Sequence, residues 1–451
     1  MKKILLINVK DEWLTNGGDR PSLGTLYLAT WLKKQNVAEP QVIDLNHGGN
    51  DALVKRLEDF KPDIIGISLT TPQYEESLSV ATIIKQITNV PIIGGGPHVT
   101  AMQNVLKIPD VLPKHLFDYV VFGQGESILE EMCRHGMPQN RILIGNFIQD
   151  SKNLDWLPMP DRNFVDLNRY SLTIVGKRAQ PLMTSFGCPY HCTFCSEPIL
   201  NSEYKSFSPQ RVVDEIKSLK KKGIDGFIIY DDVYSINAKR AIEIADLLIS
   251  KELDVVYRCT TRATDFIRYP QLASKLKESG CVEICIGLES ADDNILKLND
   301  KGMTVDANRK GIKAIKDAGI KCLTYMITGL PGCTYETEQK SLEFVQETEA
   351  DEVGWYMLAP FPSTPLWVFR EKYGVEIFED EIIANKWDVA QCRAKNEDLH
   401  CYIDYSKTGG LNRTQIKELW LDKRNQIDKW YKSRGQKTIQ DSENKIMDSV
   451  K

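Results

Sequence analysis

The chain has 451 residues, of which 42% are hydrophobic, and its formal net charge at pH 7 is −5. This length accommodates two or three domains with buried cores, and the slightly acidic balance argues against nucleic acid as a partner. No apolar stretch is long enough to cross a bilayer, so the sequence predicts no membrane span. The eleven cysteines then indicate a reducing, cytoplasmic compartment rather than a disulfide framework.

Residues 1–145 alternate short apolar runs with amphipathic stretches, which is the pattern of βα units around a parallel sheet. Most of the runs are followed by a helical segment such as Leu23–Lys34 or Ser77–Ile87. The region is therefore expected to be an α/β domain of the flavodoxin-like (Rossmann-like), doubly wound class. Its predicted strands are Ile4–Val9, Val42–Leu45, Ile64–Ser68, Pro91–Gly94 and Tyr119–Phe122.

Three further regions follow in the chain. Residues 146–179 contain Pro158 and Pro160 without hydrophobic periodicity, which predicts an extended linker. Residues 180–372 carry six βα units, too few for a closed eight-stranded barrel, and indicate a partial (β/α)6 barrel. Residues 373–451 are polar and predict a mainly helical C-terminal substrate-binding or capping region, with its clearest helix at Thr414–Ser433. The predicted barrel strands are Leu182–Phe186, Gly226–Tyr230, Val255–Thr260, Val282–Gly287, Cys322–Ile327 and Glu352–Leu358.

The most specific motif is the C-x3-C-x2-C run formed by Cys188, Cys192 and Cys195 after the first predicted barrel strand. Such a loop can place three thiolates on three corners of one [4Fe–4S] cube and leave the fourth iron without a protein ligand. An open corner indicates an iron that binds a substrate or cofactor and does chemistry on it. The alternatives are a zinc knuckle or three unrelated thiols, although the spacing fits no common zinc pattern.

This spacing resembles the radical S-adenosylmethionine (SAM) superfamily, in which the open iron chelates SAM and reduction yields a 5′-deoxyadenosyl radical. The resemblance implies that Glu289, at the end of the fourth barrel strand, lies near the SAM ribose. A carboxylate suits this position because it can accept hydrogen bonds from the ribose hydroxyls. It also implies that Gly329 and Pro331 approach the adenosyl group and that Asp232, next to Asp231, contacts a cofactor. The alternative for each acid is a solvated loop carboxylate or a helix cap.

Small and polar residues also follow the predicted strands of the first domain, where open α/β sheets bind ligands. Together these segments resemble the cobalamin-binding domain that precedes the barrel in many radical SAM proteins. Each segment alone is also compatible with an ordinary turn. The resemblance implies that the slot for the cobalamin nucleotide is lined by Gly24, Ser68, Thr70, Gly94, Gly95, Gly96, Gly123 and Glu126.

One cobalamin motif is missing from the first domain. Many cobalamin proteins supply a lower axial histidine from D-x-H-x-x-G, but the nearest run, Asp44 to Gly49, has the wrong spacing. The sequence therefore predicts no protein imidazole below the cobalt, and a domain that has lost the cofactor stays open as an alternative. His98 is expected to be a turn or tail-contact residue, and His191 to pack or hydrogen bond within the cluster loop.

The other eight cysteines are expected to be structural. Four lie in or beside barrel strands, where cysteine acts as a small buried hydrophobe, and four are scattered, so a second cluster would need ligands from distant positions. Methylthiotransferases carry cysteine ligands in the N-terminal domain, whereas this domain has one cysteine. The two groups are Cys259, Cys281, Cys285 and Cys322, and Cys133, Cys333, Cys392 and Cys401.

The resemblance covers most of residues 1–370 and implies an enzyme that uses a [4Fe–4S] cluster, SAM and cobalamin. The leading hypothesis is a C-methyltransferase, in which the adenosyl radical takes a hydrogen from a substrate carbon and methylcobalamin supplies the methyl group. The alternatives are a non-methylating rearrangement or oxidative cyclisation, and an electron-transfer or SAM-binding module without turnover. A small molecule or peptide is the expected substrate, and a flavodoxin- or ferredoxin-type protein the expected reductant. Four C-terminal aromatic residues are compatible with either packing or substrate binding, namely Trp387, Tyr402, Tyr405 and Trp420.

Overall fold

The computed structural model describes residues 1–11, 18–104, 111–146, 152–200, 203–384 and 400–436. These residues form two compact units, of which unit 1 is Met1–Leu172 and unit 2 begins at Thr173 and includes residues 400–436. In the part of the chain that is described, no helix combines the length and the apolar composition needed to traverse a bilayer. Trp387 and Cys392 lie outside the described residues.

Unit 1 is built on a six-stranded sheet whose strands are β1 (Lys2–Asn8), β2 (Ala38–Asp44), β3 (Ile64–Ser68), β4 (Ile92–Gly95), β5 (Tyr119–Gly123) and β6 (Ile142–Gly145). The strands are all parallel, in the order β2-β1-β3-β4-β5-β6. The order of the first five is that of flavodoxin-like folds, so the predicted fold class is confirmed. The edge strand β6 escapes prediction because it is short and exposes 61% of Ile144.

Both faces of this sheet are buried, as a doubly wound fold requires. Ile4, Leu5, Leu6 and Ile7 follow one another along β1 and none is more than 1% exposed. Such a run of adjacent apolar residues is therefore covered on both sides. The helices of unit 1 are α1 (Leu23–Lys34), α2 (Gly49–Phe60), α3 (Tyr74–Ile87), α4 (Pro97–Ala101) and α5 (Glu126–His135).

Residues 152–172, the described part of the predicted linker, pack against unit 1. The ring of Trp156 meets that of Trp31 of α1 edge-on, with centroids 5.8 Å apart. The hydroxyl of Tyr170 donates to Oδ2 of Asp44 at 3.0 Å. The segment has apolar anchors as well as prolines, since Leu154 and Leu157 are buried.

Unit 2 contains a curled sheet of seven strands, six of them parallel, in the order β15-β14-β13-β12-β11-β8-β7. The six parallel strands confirm the predicted partial barrel. The strands of unit 2 are β7 (Thr173–Ile174), β8 (Lys177–Leu182), β9 (Ser185–Phe186), β10 (Lys205–Ser206), β11 (Gly226–Ile229), β12 (Val256–Thr261), β13 (Cys281–Glu289), β14 (Lys321–Thr328), β15 (Glu352–Met357), β16 (Glu376–Ile377) and β17 (Ile403–Asp404).

The first barrel strand differs from its predicted position at Leu182–Phe186. It is Lys177–Leu182, and the chain leaves the main sheet before β9. Asp231 explains the difference, because its Oδ1 accepts a hydrogen bond from the backbone N–H of Thr184 at 2.6 Å. Its Oδ2 also accepts the hydroxyls of Thr184 and Ser185, both at 2.5 Å. These bonds hold the segment away from the strand ladder.

The helices of unit 2 alternate with the barrel strands, and the last one confirms the predicted C-terminal helix. Its Trp420 is fully buried and donates from Nε1 to the backbone oxygen of Trp355 at 2.9 Å. Near its end, the hydroxyl of Tyr431 donates to the backbone oxygen of Ala350 at 2.5 Å. The helices are α6 (Glu197–Leu200), α7 (Pro209–Lys220), α8 (Ala238–Ser250), α9 (Ala263–Arg268), α10 (Leu272–Glu278), α11 (Asp293–Leu298), α12 (Val305–Asp317), α13 (Tyr335–Thr348), α14 (Pro365–Val368), α15 (Glu379–Ala384) and α16 (Arg413–Ser433).

Candidate active site

The three predicted cluster cysteines lie on one loop after β9. Cys188 and Cys192 are buried and Cys195 is half-buried. The thiol of Cys188 accepts a hydrogen bond from the backbone N–H of Tyr190, and that of Cys195 from the backbone N–H of Glu197. Hydrogen bonds to sulfur stabilise thiolate charge and tune bound clusters. These two N–H groups act against the burial that raises the pKa of both thiols.

The electrostatics of this loop favour a bound cation. Burial is the main reason why the pKa of Cys188 is raised and that of Cys195 is raised to about 12, and the charges of the other cysteines of the motif act in the same direction. Thiolates so placed need a positive partner, which iron supplies. Among the described residues, no three His, Cys, Asp or Glu side chains are arranged around a single metal ion. A [4Fe–4S] cube does not require this, because each thiolate binds a different iron.

Glu289 lies where β13 bulges away from β14, between Gly287 and Glu289. Its φ is 67°, in the left-handed region that a residue with a side chain rarely adopts. Its Oε1 accepts a hydrogen bond from Nζ of Lys301 at 2.7 Å, and both side chains are about nine-tenths buried. The same oxygen lies over Gly287, where an added Cβ would be 2.2 Å away. The bulge thus aims the carboxylate along the sheet face.

The two adjacent aspartates after β11 have different surroundings. Asp231 is 3% exposed, and its hydrogen bonds to Thr184 and Ser185 give it a structural role at the start of the cluster segment. Asp232 is half-buried, accepts a hydrogen bond from the backbone N–H of Gly187 and pairs with the carboxyl of Glu197. Burial and the Asp232 carboxyl raise the pKa of Glu197 to about 8, so the two carboxyls share a proton.

The turn after β14 is held from several sides. Gly329 has φ 92°, and a Cβ there would lie 3.0 Å from Ile403 and from Ile416. The hydroxyl of the buried Tyr405 donates to the backbone oxygen of Gly329 at 2.8 Å. Tyr405 and the two isoleucines therefore pack against this turn, which gives Tyr405 a structural role.

Asn299 connects the cluster loop to this turn and is not recognisable from sequence. Its backbone oxygen accepts the N–H of Thr193 at 3.1 Å, and its Oδ1 accepts the Thr193 hydroxyl at 2.8 Å. Its Nδ2 donates to the backbone oxygen of Pro331 at 3.1 Å and also to the backbone oxygen of Ile295. Asn299 is 1% exposed. One buried amide thus fixes the loop and the turn relative to each other.

In unit 1, the predicted slot residues meet at the carboxyl ends of β3 and β4, where Ser68 pairs with Gly95. Gly96 has φ 101°, and a Cβ there would lie 2.8 Å from the backbone of Leu69 and from Oγ of Ser68. The backbones approach so closely that no side chain fits at residue 96. Thr70 donates from its N–H and its hydroxyl to Oε1 of Gln73, each at 3.0 Å, and so caps the turn that follows.

The other predicted slot residues divide into packed and open positions. A Cβ at Gly94 would lie 2.2 Å from Leu112, and one at Gly123, where φ is 76°, would lie 2.2 Å from the backbone oxygen of Gly145. Packing alone explains these two glycines. A Cβ at Gly24 would meet no described atom within 4 Å. Burial raises the pKa of Glu126, at the start of α5.

His98 and His47 of unit 1 each contact a neighbouring side chain. His98 is 1% exposed, and its Nδ1 lies 3.2 Å from Oγ1 of Thr71. Burial lowers its pKa to about 3, which keeps the imidazole neutral. His47 packs against the ring of Tyr170 with centroids 4.8 Å apart.

Comparison with known proteins identifies the family. Residues 182–345 match the sequence model of the Radical SAM superfamily, and residues 13–132 match that of the B12 binding domain. The chain belongs to the radical SAM enzymes with a B12-binding domain. It is 29% identical over 375 residues to an uncharacterized methyltransferase of Pyrococcus horikoshii, covering 78% of this chain and 79% of that protein. It is 27% identical over 388 residues to the anaerobic magnesium-protoporphyrin IX monomethyl ester cyclase of Rubrivivax gelatinosus, covering 81% of this chain and 68% of that protein.

The solved structures agree with this fold. The radical SAM methyltransferase TsrM of Kitasatospora setae, a structure with cobalamin and a [4Fe–4S] cluster bound, has a TM-score of 0.69 and 19% identity. The match covers 83% of this chain and 80% of that one. The B12-binding unit therefore precedes the radical SAM barrel in this chain, as the sequence predicts.

The described cysteines outside the radical SAM loop are buried. Cys259 hydrogen bonds to Cys281 on the neighbouring strand, and this bond together with burial raises its pKa. Cys333 donates to Oε1 of Glu338 at 3.4 Å. Within the described part of the chain, none of them belongs to a group that could hold a metal ion.

We expect Asn299→Asp to weaken SAM binding by about tenfold without loss of the cluster. The aspartate keeps an acceptor for Thr193 but loses the donor to Pro331, and one such buried hydrogen bond is worth roughly 1 kcal/mol, with more lost because an acceptor is left unpaired. SAM titration followed by EPR, with iron content measured in parallel, tests this. Asn294→Asp, on the exposed side of α11, is the control. Equal affinities in all three proteins would contradict the expectation.

Proposed function

We propose that this chain is a cobalamin-dependent radical SAM C-methyltransferase. The observation that carries the proposal is the loop of Cys188, Cys192 and Cys195 in a six-stranded radical SAM barrel, in a chain that also contains a B12-binding unit. When bound, the cluster with SAM supplies an adenosyl radical, and cobalamin supplies a methyl group to the substrate carbon.

In this proposal, the residues of unit 2 hold and orient the reactants. The three cysteines would bind three irons of a [4Fe–4S] cluster, which would leave the fourth iron available to SAM. Glu289 would accept hydrogen bonds from the SAM ribose, and Lys301, which donates to its Oε1, orients the carboxylate. Asp232 lies close enough to Cys188 to raise the pKa of that thiol, and would contact a cofactor from there. Gly329 and Pro331 belong to the turn that the family resemblance places beside the adenosyl moiety, and Asn299 holds that turn in register with the cluster loop.

The residues of unit 1 would receive the nucleotide tail of cobalamin. Ser68, Thr70 and Gly94–Gly96 surround the carboxyl ends of β3 and β4, the usual ligand position in such sheets. The open space beside Gly24 fits a bulky ligand, whereas the space beside Gly96 is taken by the backbone of Leu69. Gly123 and Glu126 belong to the same predicted slot after β5, although the packing against Gly145 already accounts for Gly123.

We expect bound cobalamin to carry no protein nitrogen on its lower face. Nδ1 of His98 contacts the hydroxyl of Thr71 and the His98 side chain is buried, and the ring of His47 packs on Tyr170. The EPR spectrum of the cob(II)alamin form should therefore lack splitting from an axial nitrogen. A nitrogen triplet that disappears in His98→Ala or His47→Ala would contradict this, whereas a triplet that persists in both variants would come from the cofactor's own base.

Product analysis distinguishes methyl transfer from the alternative of oxidative cyclisation, which the Rubrivivax relative's name illustrates. In this proposal the substrate of the enzyme is a small molecule or a peptide. The electrons that reduce the cluster come from a flavodoxin- or ferredoxin-type protein, or in the assay from a chemical reductant. The cluster-loaded protein should be incubated anaerobically with SAM, cobalamin, reductant and a metabolite extract from a deletion strain. Methyl transfer predicts S-adenosylhomocysteine, 5′-deoxyadenosine and a product heavier by one CH2. Formation of 5′-deoxyadenosine without S-adenosylhomocysteine would favour cyclisation or rearrangement.

A further inference from the structure

The barrel helices of unit 2 pack against one face of its curled sheet, and among the described residues those of the other face are less buried. On the helix-covered face, Tyr257 bonds to α10 and Thr328 to α13, and Cys322, Thr324 and Met326 are fully buried. Along β14, Cys322, Thr324 and Met326 alternate with residues that lie on the less covered face. Two of those residues, Tyr325 and Ile327, are only half-buried. Half-buried residues alternate with buried ones in β12 as well, and β15 likewise leaves Tyr356 half-buried.

Tyr325 and Tyr356 lie side by side on this less covered face. Their ring centroids are 5.9 Å apart and the rings are inclined by 39°. The hydroxyl of Tyr325 hydrogen bonds to Cys285 on β13, which fixes the ring from the other side. The two tyrosines thus form one continuous aromatic surface, which we call the tyrosine platform.

Two glycines flank the platform in the sheet. Strand register places Tyr325 between Gly287 on β13 and Gly354 on β15. A Cβ at Gly354 would lie 2.8 Å from the ring of Tyr356 and 2.9 Å from that of Tyr325. Gly354 has no positive φ, so the backbone does not demand a glycine there. The position is small because the two rings occupy the volume above it.

The platform adjoins the carboxylate that the proposed function assigns to SAM. Oε1 of Glu289 lies over Gly287, in the same lateral row as Tyr325. Neighbouring strands are about 4.8 Å apart, so a molecule lying on the tyrosines is within contact distance of a reactant held by Glu289. The methyl acceptor must lie within such a distance for its hydrogen to be removed.

The charges further down this face are balanced. Arg258 lies 3.5 Å from Glu283, and Lys321 lies 3.4 Å from Glu283 and also pairs with Glu352. Two cations and two carboxylates thus satisfy each other, so this row has no surplus charge to attract a phosphate or a carboxylate. The chemistry next to the reacting position is that of an aromatic surface.

We propose that the tyrosine platform binds the methyl acceptor through a flat, uncharged, unsaturated ring system. The inference rests on the proposed function, since it places this ring beside the SAM site of the same barrel. Aromatic faces stack on planar π-systems in offset or edge-on geometries and discriminate them from saturated rings of equal size.

The test uses the anaerobic, cluster-loaded full chain with SAM and two fluorinated probes of similar size, flat 4-fluorophenol and saturated 4,4-difluorocyclohexanol. The ¹⁹F line of 4-fluorophenol should broaden with the wild-type protein, and its affinity should fall about tenfold in Tyr325→Leu/Tyr356→Leu. Tyr325→Phe/Tyr356→Phe should retain binding because both ring faces remain. Tyr335→Leu, at a tyrosine 51% exposed on α13, is the control.

Equal 4-fluorophenol binding in the wild type and the double leucine variant would overturn the proposal, and so would equal binding of the saturated probe. If the double leucine variant does not fold, Gly354→Ala is tested instead. Its added methyl group displaces both tyrosine rings, so 4-fluorophenol binding should weaken. The SAM-induced change in the cluster EPR spectrum is recorded in the same samples. An unchanged spectrum would refute the proposed function, whereas a normal spectrum without ring discrimination would refute the platform alone.

Discussion

Alanine at Cys188, Cys192 or Cys195 is expected to remove most or all of the [4Fe–4S] cluster. Each thiolate is one of only three protein anchors, and an alanine leaves an iron without a protein ligand. Iron and acid-labile sulfide per chain, measured after anaerobic reconstitution, should fall from about four each toward zero. The reduced wild-type protein should in addition change its EPR spectrum when SAM is added, because SAM binds the open iron.

Cys401→Ala is a matched control for these variants. Cys401 is 4% exposed and donates to the backbone oxygen of Ile403, outside the radical SAM loop. Its replacement should leave the cluster content unchanged. A cluster fully retained in the triple variant of Cys188, Cys192 and Cys195, or lost in Cys401→Ala alone, would refute the assignment of the ligands.

Local sequence patterns were sufficient for the fold class and for most of the strands. In the barrel, strand Cys322–Ile327 lies between the strands that precede and follow it in the chain, as βα connectivity predicts. In unit 1, Ile64–Ser68 lies between β1 and β4, because the strand order reverses at β1. The cysteine motif was equally readable because its three ligands lie within eight residues on one loop. These features depend on interactions close in sequence.

Contacts distant in sequence were not predictable. Asp231 and Asp232 are equivalent in the sequence, yet only the fold places Asp231 beneath Thr184 and leaves Asp232 beside Glu197. Asn299 gives no sequence signal, because its partners are 106 residues before it and 32 residues after it. Gly94 resembles a slot glycine in sequence, whereas in the structure its lack of a side chain is already explained by Leu112.

The buried partner of Glu289 changes how its predicted role must be tested. Glu289→Gln should lower SAM affinity about tenfold or more, because a hydrogen bond to a charged group is worth roughly 1.5–3 kcal/mol. The same change leaves Lys301 buried without its counter-charge, and breaking a buried ion pair costs about 3–5 kcal/mol of folding free energy. Part of any loss of SAM binding could then come from a distorted bulge.

A charge-balanced variant separates the two effects. Glu289→Gln/Lys301→Met removes both charges and should recover most of the folding free energy lost in Glu289→Gln, as measured by denaturant unfolding of the anaerobic protein. Its SAM affinity should stay low, because the ribose acceptor is still weakened. Lys301→Met alone should lose stability and bind SAM less weakly than Glu289→Gln. If the double variant binds SAM and forms 5′-deoxyadenosine like the wild type, Glu289 serves only to neutralise Lys301 and shape the bulge of β13.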